Sequence, residues 1–550
     1  MADKSYDVVI IGGGHHGLVV GNYLARNGMS VGIFERRYEM GGGCCTEELP
    51  MPGWSMNVHA TFIRFFISPA YHDFKLYEKG LNLIFPEGAS NSCLWRDGSA
   101  FAMKPTYDVR GKGLNWSFVP EAMEENAQQI AAFSEKDAYT CLELAKRYRD
   151  EWKHYVDHWH YNPPPPQGQK DLDQVLIEKG LVNPAWATMD TGALAYDVFE
   201  SPQMREYYMR LASGHTGIYP DQAQHLMISL HTLGSMLGGL PISISAGGTH
   251  NIAHALQRSL SEQGGEYFVL SEVEKIILEN GKAKGIRLAN GTEIEARKCV
   301  ICDTNVTQVV QKFIGEDNTP TGIVEKVRNV HGDMGFWWIY FCLHELPRYK
   351  HESTHPGCLT QRQYMMPGEP DWFRYTQMEE LQRGEIPSYI YFHLTHDSAF
   401  DPRYTPRGKH CSLVEVYGPK SSVCARKWWE ETKEEIVDRV IEQWQWYAPN
   451  MTKDNIINYY CETTQEVSDR LIDMANGCWT MIDMTNDQMG QRRPIPEYSR
   501  YKTHIDNVYI CSSVMHPGGA VHGLCGYNCY KRIADDYGLE KVWDTMGREF

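Results

Sequence analysis

Residues 6–35 read YDVVIIGGGHHGLVVGNYLARNGMSVGIFE, and this stretch decides the fold. Residues 6–11 form a short, continuous apolar run, the pattern of a parallel strand buried on both faces. The run enters Gly12-Gly13-Gly14-His15-His16-Gly17, where Gly12, Gly14 and Gly17 have the G-x-G-x-x-G spacing. Residues 18–28 then carry helical periodicity and stop at Gly28, a C-cap residue. A second strand over 30–34 ends on Glu35. Each part has a physical task. Gly12 permits a tight turn off the strand, Gly14 lets backbone N–H groups approach a pyrophosphate, and Gly17 lets the helix pack closely on the strand. The helix N-terminus offers unpaired N–H groups and partial positive charge to phosphate. Glu35, 23 residues beyond Gly12, is placed to accept hydrogen bonds from an adenosine ribose. Strand, glycines, helix, strand and terminal acid together predict a dinucleotide site in a Rossmann-type α/β domain.

The chain has 550 residues, too many for one simple core, so two or more compact units are expected. A net charge of −17 argues against nucleic acid as a partner, because phosphate binding needs clustered Lys and Arg. The same charge disfavours an acidic membrane surface. Fifteen scattered cysteines form neither a small disulfide scaffold nor paired CxxC zinc motifs, so no metal is expected. Residues 1–7 lack the basic-then-apolar order of a signal peptide, and no apolar run reaches the length of a spanning helix. The expectation is a cytoplasmic protein with free thiols; membrane association stays open but is not favoured.

Glu35-Arg36-Arg37 is followed by Gly41-Gly42-Gly43 and by Thr46-Glu47-Glu48. This resembles the E-R-x-x-x-x-G-G signature of FAD-binding amine oxidases and phytoene desaturases. GGGHHGL at 12–18 and the segment 35–54 are similar to the phytoene desaturase-related branch, within it the pyridine nucleotide-disulfide oxidoreductase domain-containing protein 2 type. Two further blocks agree. Ala246-Gly247-Gly248-Thr249 precedes a helix over 250–261, a β-like segment over 267–277, Asn-Gly turns and a return strand ending near Cys302-Asp303. A strand over 508–511 precedes SSVMHPGGAVHGLCGYN and a helix over 529–537. The resemblance implies FAD held by Gly12, Gly14, His15, His16, Gly17, Glu35, Arg36, Gly42 and Gly43. It places the Val273 backbone against the adenine, and Ser512, Gly519, Ala520 and Val521 in a third segment beside the isoalloxazine. Ser512 and Ala520 stand where relatives have glycine, and Met481-Ile482 where they often have His-Gly before the acid, here Asp483.

The implied architecture is a discontinuous FAD-binding domain (1–75, 241–330 and 486–550) with an α+β substrate domain (76–240 and 331–485), amine oxidase/phytoene desaturase-like. Pro163–Pro166 reads as a stiff surface connector. The middle third has no second G-x-G-x-x-G, so reoxidation by oxygen or a quinone is expected rather than by a nicotinamide. Adjacent Cys44-Cys45 form at best a strained disulfide and are read as packing. His154 and His158 are spaced i, i+4, but no third metal ligand accompanies them. His59 and His516 are the candidate catalytic groups, since imidazole titrates near neutrality. Trp152, Tyr155, Trp159, His160, Tyr161, Trp337, Trp338, Tyr391 and His393 are read as an aromatic wall around a compact ring-containing substrate. The expected activity is an FAD-dependent oxidoreductase that moves hydride between flavin N5 and a C–H/C=C of a small, largely apolar, cyclic or conjugated molecule. A C=C saturase or isomerase, an amine oxidase and a non-catalytic flavin-binding protein are the alternatives. Bleaching of the flavin by a substrate separates the enzymes from the binding protein.

Overall fold

The computed structural model describes residues 4–110, 113–546 and 548. Two seven-stranded sheets organise them, and each has its own hydrophobic core. In the first sheet, Lys4–Ile11 lies at the centre with Val31–Phe34 on one side and Glu293–Cys302 on the other, both parallel to it. Glu266–Phe268 extends the sheet beyond Val31–Phe34, and Val508–Ile510 pairs in parallel with the end of Glu293–Cys302. Val8, Val9, Ile10 and Ile11 are buried because helices cover both faces, which explains an apolar run without alternation.

The segment expected as one strand over 267–277 is two, Glu266–Phe268 and Val273–Glu279, serving opposite flanks of the sheet. Between them Leu270 takes φ 51° and donates its N–H to the Arg37 carbonyl, which breaks the extended run. Val273–Glu279 turns back on Lys282–Leu288 through Asn280-Gly281, both with positive φ as a tight hairpin requires.

In the second sheet the strand order is Ile456–Glu462, Met334–Leu343, His410–Pro419, Phe392–Thr395, Arg362–Met366, Asn91–Trp95 and Ala100–Met103. All neighbours are antiparallel except Arg362–Met366 and Asn91–Trp95. Met334–Leu343 (MGFWWIYFCL) is buried along its whole length. Trp337 and Phe341 face the helix Arg426–Trp444, with ring centroids 5.8 Å from Trp429 and 5.7 Å from Trp444. Phe336 and Trp338 face the other way, toward the site described below. Within residues 1–75, Cys45, Trp54, Met56 and Val58 join the core of this second sheet. The tetraproline is held rather than free: Arg500 donates to the Pro164 carbonyl and Gln491 to those of Pro165 and Pro166, oxygens that proline cannot pair for itself.

The helices His15–Arg26 and Leu524–Tyr537 cross at Gly526. A Cβ there would meet the His16 carbonyl oxygen at 2.3 Å, so the contact depends on the missing side chain. Gly526→Val is expected to force the helices apart and cost about 1–3 kcal/mol, read as a lower Tm than wild type in thermal denaturation.

Candidate active site

The helix His15–Arg26 begins directly after the glycine loop, with Gly14 as its N-cap and no acid in its first turn. Its positive end is therefore left for an anion. The loop closes against one carboxylate. Asp303 Oδ2 accepts the Gly17 N–H at 2.8 Å, and a Cβ on Gly14 would meet the same oxygen at 2.6 Å. Burial pushes the Asp303 carboxyl up to about 7, opposed by the Gly17 N–H and reinforced by Asp473 and Glu35. Glu35 braces the same loop, accepting the Gly13 N–H on Oε2 and the Arg37 N–H on Oε1, each at 2.8 Å.

A cavity of about 440 Å3 runs from this loop into the space above the second sheet. Gly12, Gly14, His15, His16, Glu35, Arg36, Gly42, Gly43, Val273, Gly519, Ala520 and Val521 all line it, as does His59. Gly17, Ser512 and His516 do not. Gly17 is spent on Asp303, the Ser512 hydroxyl donates to the Thr304 carbonyl at 2.7 Å, and His516 is buried against Trp159. Ser513, one residue on, lines the wall instead. His154 and His158 are also outside the lining, and all fifteen cysteines are free. Of the aromatic residues singled out in the sequence, His160, Tyr161 and Trp338 reach the cavity. Trp152, Trp159, Trp337, Tyr391 and His393 are buried in packing, and Tyr155 packs at its edge.

His59 takes φ 66°, a left-handed conformation that costs a histidine roughly 1–2 kcal/mol. Its Nε2 donates to Glu462 Oε2 at 2.8 Å, its ring lies edge-on to Trp338, and Nδ1 has no hydrogen-bond partner. Burial pushes the Glu462 carboxyl up, but His59 and Arg470 outweigh it and hold the group below the usual glutamate range. Arg470 Nε donates to Glu462 Oε1 and its Nη1 to Glu47 Oε2, both at 2.8 Å, and Arg37 donates to Glu47 Oε1 at 2.8 Å. A continuous polar chain thus joins Glu35 to His59. One rung of the second sheet lies under this end of the cavity: Glu462, Trp338, Glu415, His393 and Tyr364 are successive cross-strand partners on one face.

A strand, a glycine turn against a buried acid, a helix N-terminus and a long cavity beyond them define a dinucleotide-binding protein with a second sheet under the cavity. The family model for flavin containing amine oxidoreductases matches residues 17–332, and the chain belongs to that family. It falls in the phytoene desaturase-related, pyridine nucleotide-disulfide oxidoreductase domain-containing protein 2-like branch. It is 27% identical to a limonene dehydrogenase polypeptide of Castellaniella defragrans over 98% of this chain and 96% of the relative. It is 25% identical to pyridine nucleotide-disulfide oxidoreductase domain-containing protein 2 of Rattus norvegicus over 95% and 92%. Cyclohexylamine oxidase from Brevibacterium oxydans shares the fold, at TM-score 0.57 and 14% identity over 97% of this chain and 99% of that one. The protein is an FAD-dependent oxidoreductase. Its residues fit the cofactor: the Gly14 position has no room for a side chain, and the buried Thr304 Oγ1, on a cavity-lining residue, has no partner among the described residues. Among the described residues no helix is long and apolar enough to cross a membrane.

Arg64, His215, Arg362 and Glu415 line the cavity and Glu462 pairs with His59, placements that spacing did not show. Glu415 had one local signal, a charge inside an otherwise buried strand.

Two outcomes are expected. Glu35→Ala removes a carboxylate from the loop and weakens FAD binding by about 1.5–3 kcal/mol, measured by fluorescence titration of apoprotein. Asp303 binds its proton more tightly folded than unfolded, so its contribution to stability is full below its ordinary pKa near 3.8 and is lost as pH rises through about 7. Asp303→Asn keeps an acceptor for Gly17 but cannot ionise. The fall in Tm of the apoprotein between these pH values should be shallower in the variant than in wild type.

Proposed function

We propose that this enzyme dehydrogenates a small, largely apolar, cyclic or conjugated substrate, with His59 as the group that handles the proton. Removing a hydride from one carbon and a proton from its neighbour leaves a C=C bond. When bound, FAD supplies the acceptor for the hydride at N5. The observation that carries the reading is the His59–Glu462 pair in a cavity continuous with the nucleotide loop. Nε2 is committed to Glu462, which leaves Nδ1 as the ring atom through which a proton would pass, with Glu462 placed to stabilise the imidazolium. Arg470 keeps Glu462 in place by binding its second oxygen.

The apolar wall supports the substrate class. Phe336 stacks on Trp479 with centroids 3.9 Å apart and meets Trp338 edge-on at 5.2 Å, so a flat hydrocarbon body has aromatic faces to lie against. A relative named for limonene dehydrogenase agrees with a small apolar substrate. Reoxidation falls to oxygen or a quinone, because the middle third carries no second glycine-rich dinucleotide motif.

Anaerobic mixing of the FAD-loaded protein with cyclic and conjugated alkenes tests the reading. At least one should bleach the flavin, and His59→Ala should slow bleaching by about 10²–10⁴-fold without loss of bound FAD. A His59→Ala protein that bleaches at the wild-type rate would remove the proton role, and a flavin that no candidate reduces would remove the dehydrogenase.

A further inference from the structure

Two guanidinium groups line the cavity beyond the aromatic wall, on unrelated parts of the chain. Arg64 follows the His59 segment, and Arg362 opens the strand Arg362–Met366. Arg362 is paired: its Nη2 donates to Glu415 Oε2 at 3.1 Å and also lies against His393, while its Nε is buried without a partner. Arg64 is not. Its one hydrogen bond is a long one, 3.5 Å, to the Leu240 carbonyl, and it makes no ion pair among the described residues. His215, also in the lining, adds no negative charge. Burial, then Arg64 and Arg362, drive its pKa down to about 3, which leaves it neutral. Elsewhere on the wall Lys153 and Asp157 neutralise each other.

Of the two arginines only Arg362 has a carboxylate partner, Glu415, and burial pushes that carboxyl up to about 7 against the pull of Arg362 and Arg210. Keeping a cation in such a place costs desolvation energy that no internal partner repays. A ligand anion would repay it, and a carboxylate matches a guanidinium with two parallel hydrogen bonds. The sheet sets the distance from the His59 end. Glu462 and Arg362 stand on strands four positions apart, about 19 Å at the usual spacing.

We propose that the substrate carries a carboxylate, bound by Arg64 and Arg362, at the end of an apolar body that lies along Phe336 and Trp338. The inference deepens the dehydrogenase reading and rests on it. It also turns away an ammonium substrate, which would meet Arg64 with like charge.

The test compares acids with their amides on the oxidised, FAD-loaded protein, by calorimetric titration with benzoate, benzamide, cinnamate and cinnamamide. The acids should bind about ten-fold or more tightly than the amides, as expected for a charge-assisted pair. Arg64→Met should abolish this preference, and Arg64→Lys should restore part of it. Glu415→Gln, which removes the internal competitor, should enlarge it. Equal binding of acid and amide, no binding of either, or a preference that survives Arg64→Met overturns the site. If Arg64→Met does not retain flavin, Glu415→Gln decides, and a preference unchanged or reduced there overturns it as well. These titrations involve no turnover. A missing charge preference therefore counts against the anion site alone, whereas an intact preference with no flavin reduction by any substrate counts against the dehydrogenase.

Discussion

A carboxylate buried as deeply as that of Glu462 stays ionised only if its partners are fixed, and much of the site follows from that requirement. The side chain is 1% exposed. His59 takes one oxygen and Arg470 the other. Arg470 is anchored by Glu47, and Glu47 by Arg37, whose own N–H is held by Glu35 on the nucleotide side. Removing any one partner would strand a neighbour's charge in a low-dielectric interior. The imidazole is therefore oriented from the first sheet, although its glutamate belongs to the second. The unfavourable backbone conformation at His59 is tolerated because both sides of this network over-determine it.

The second sheet does two jobs by strand alternation. Trp337 and Phe341 of Met334–Leu343 meet the indoles of the helix Arg426–Trp444, and Phe336 and Trp338, on the other face, line the cavity. The same rule places Glu462, Trp338, Glu415, His393 and Tyr364 in one row. Glu462, Glu415 and Arg362 thus sit on strands, while the residues around the nucleotide loop sit on turns and a helix start.

The nucleotide half was legible in the sequence because its signals are local. Strand, glycine spacing, helix and Glu35 fall within thirty residues, and each has a steric or electrostatic cause that composition displays. The sites of Val273, Gly519, Ala520 and Val521 on the cavity wall came from family resemblance, and Ser512 shows its limit: the hydroxyl turns away to Thr304. The substrate half was illegible for the opposite reason. His59 and Glu462 are 403 residues apart, and Arg64 and Arg362 meet only on the cavity wall. Aromatic content pointed to the right region but not to the right face. Trp337 and Trp338 are adjacent in sequence, and the pleat sends one to the core and the other to the cavity.

The first sheet has a consequence for how the molecule is made. Lys4–Ile11 is synthesised nearly three hundred residues before its partner Glu293–Cys302, and Val508–Ile510 follows later still. Until then the central strand has an unpaired edge, and Asp303 is absent from the glycine loop it must close. The nucleotide loop is thus synthesised long before it can become a site. A closed loop needs Asp303, and until Glu293–Cys302 is made the central strand keeps an edge open to association.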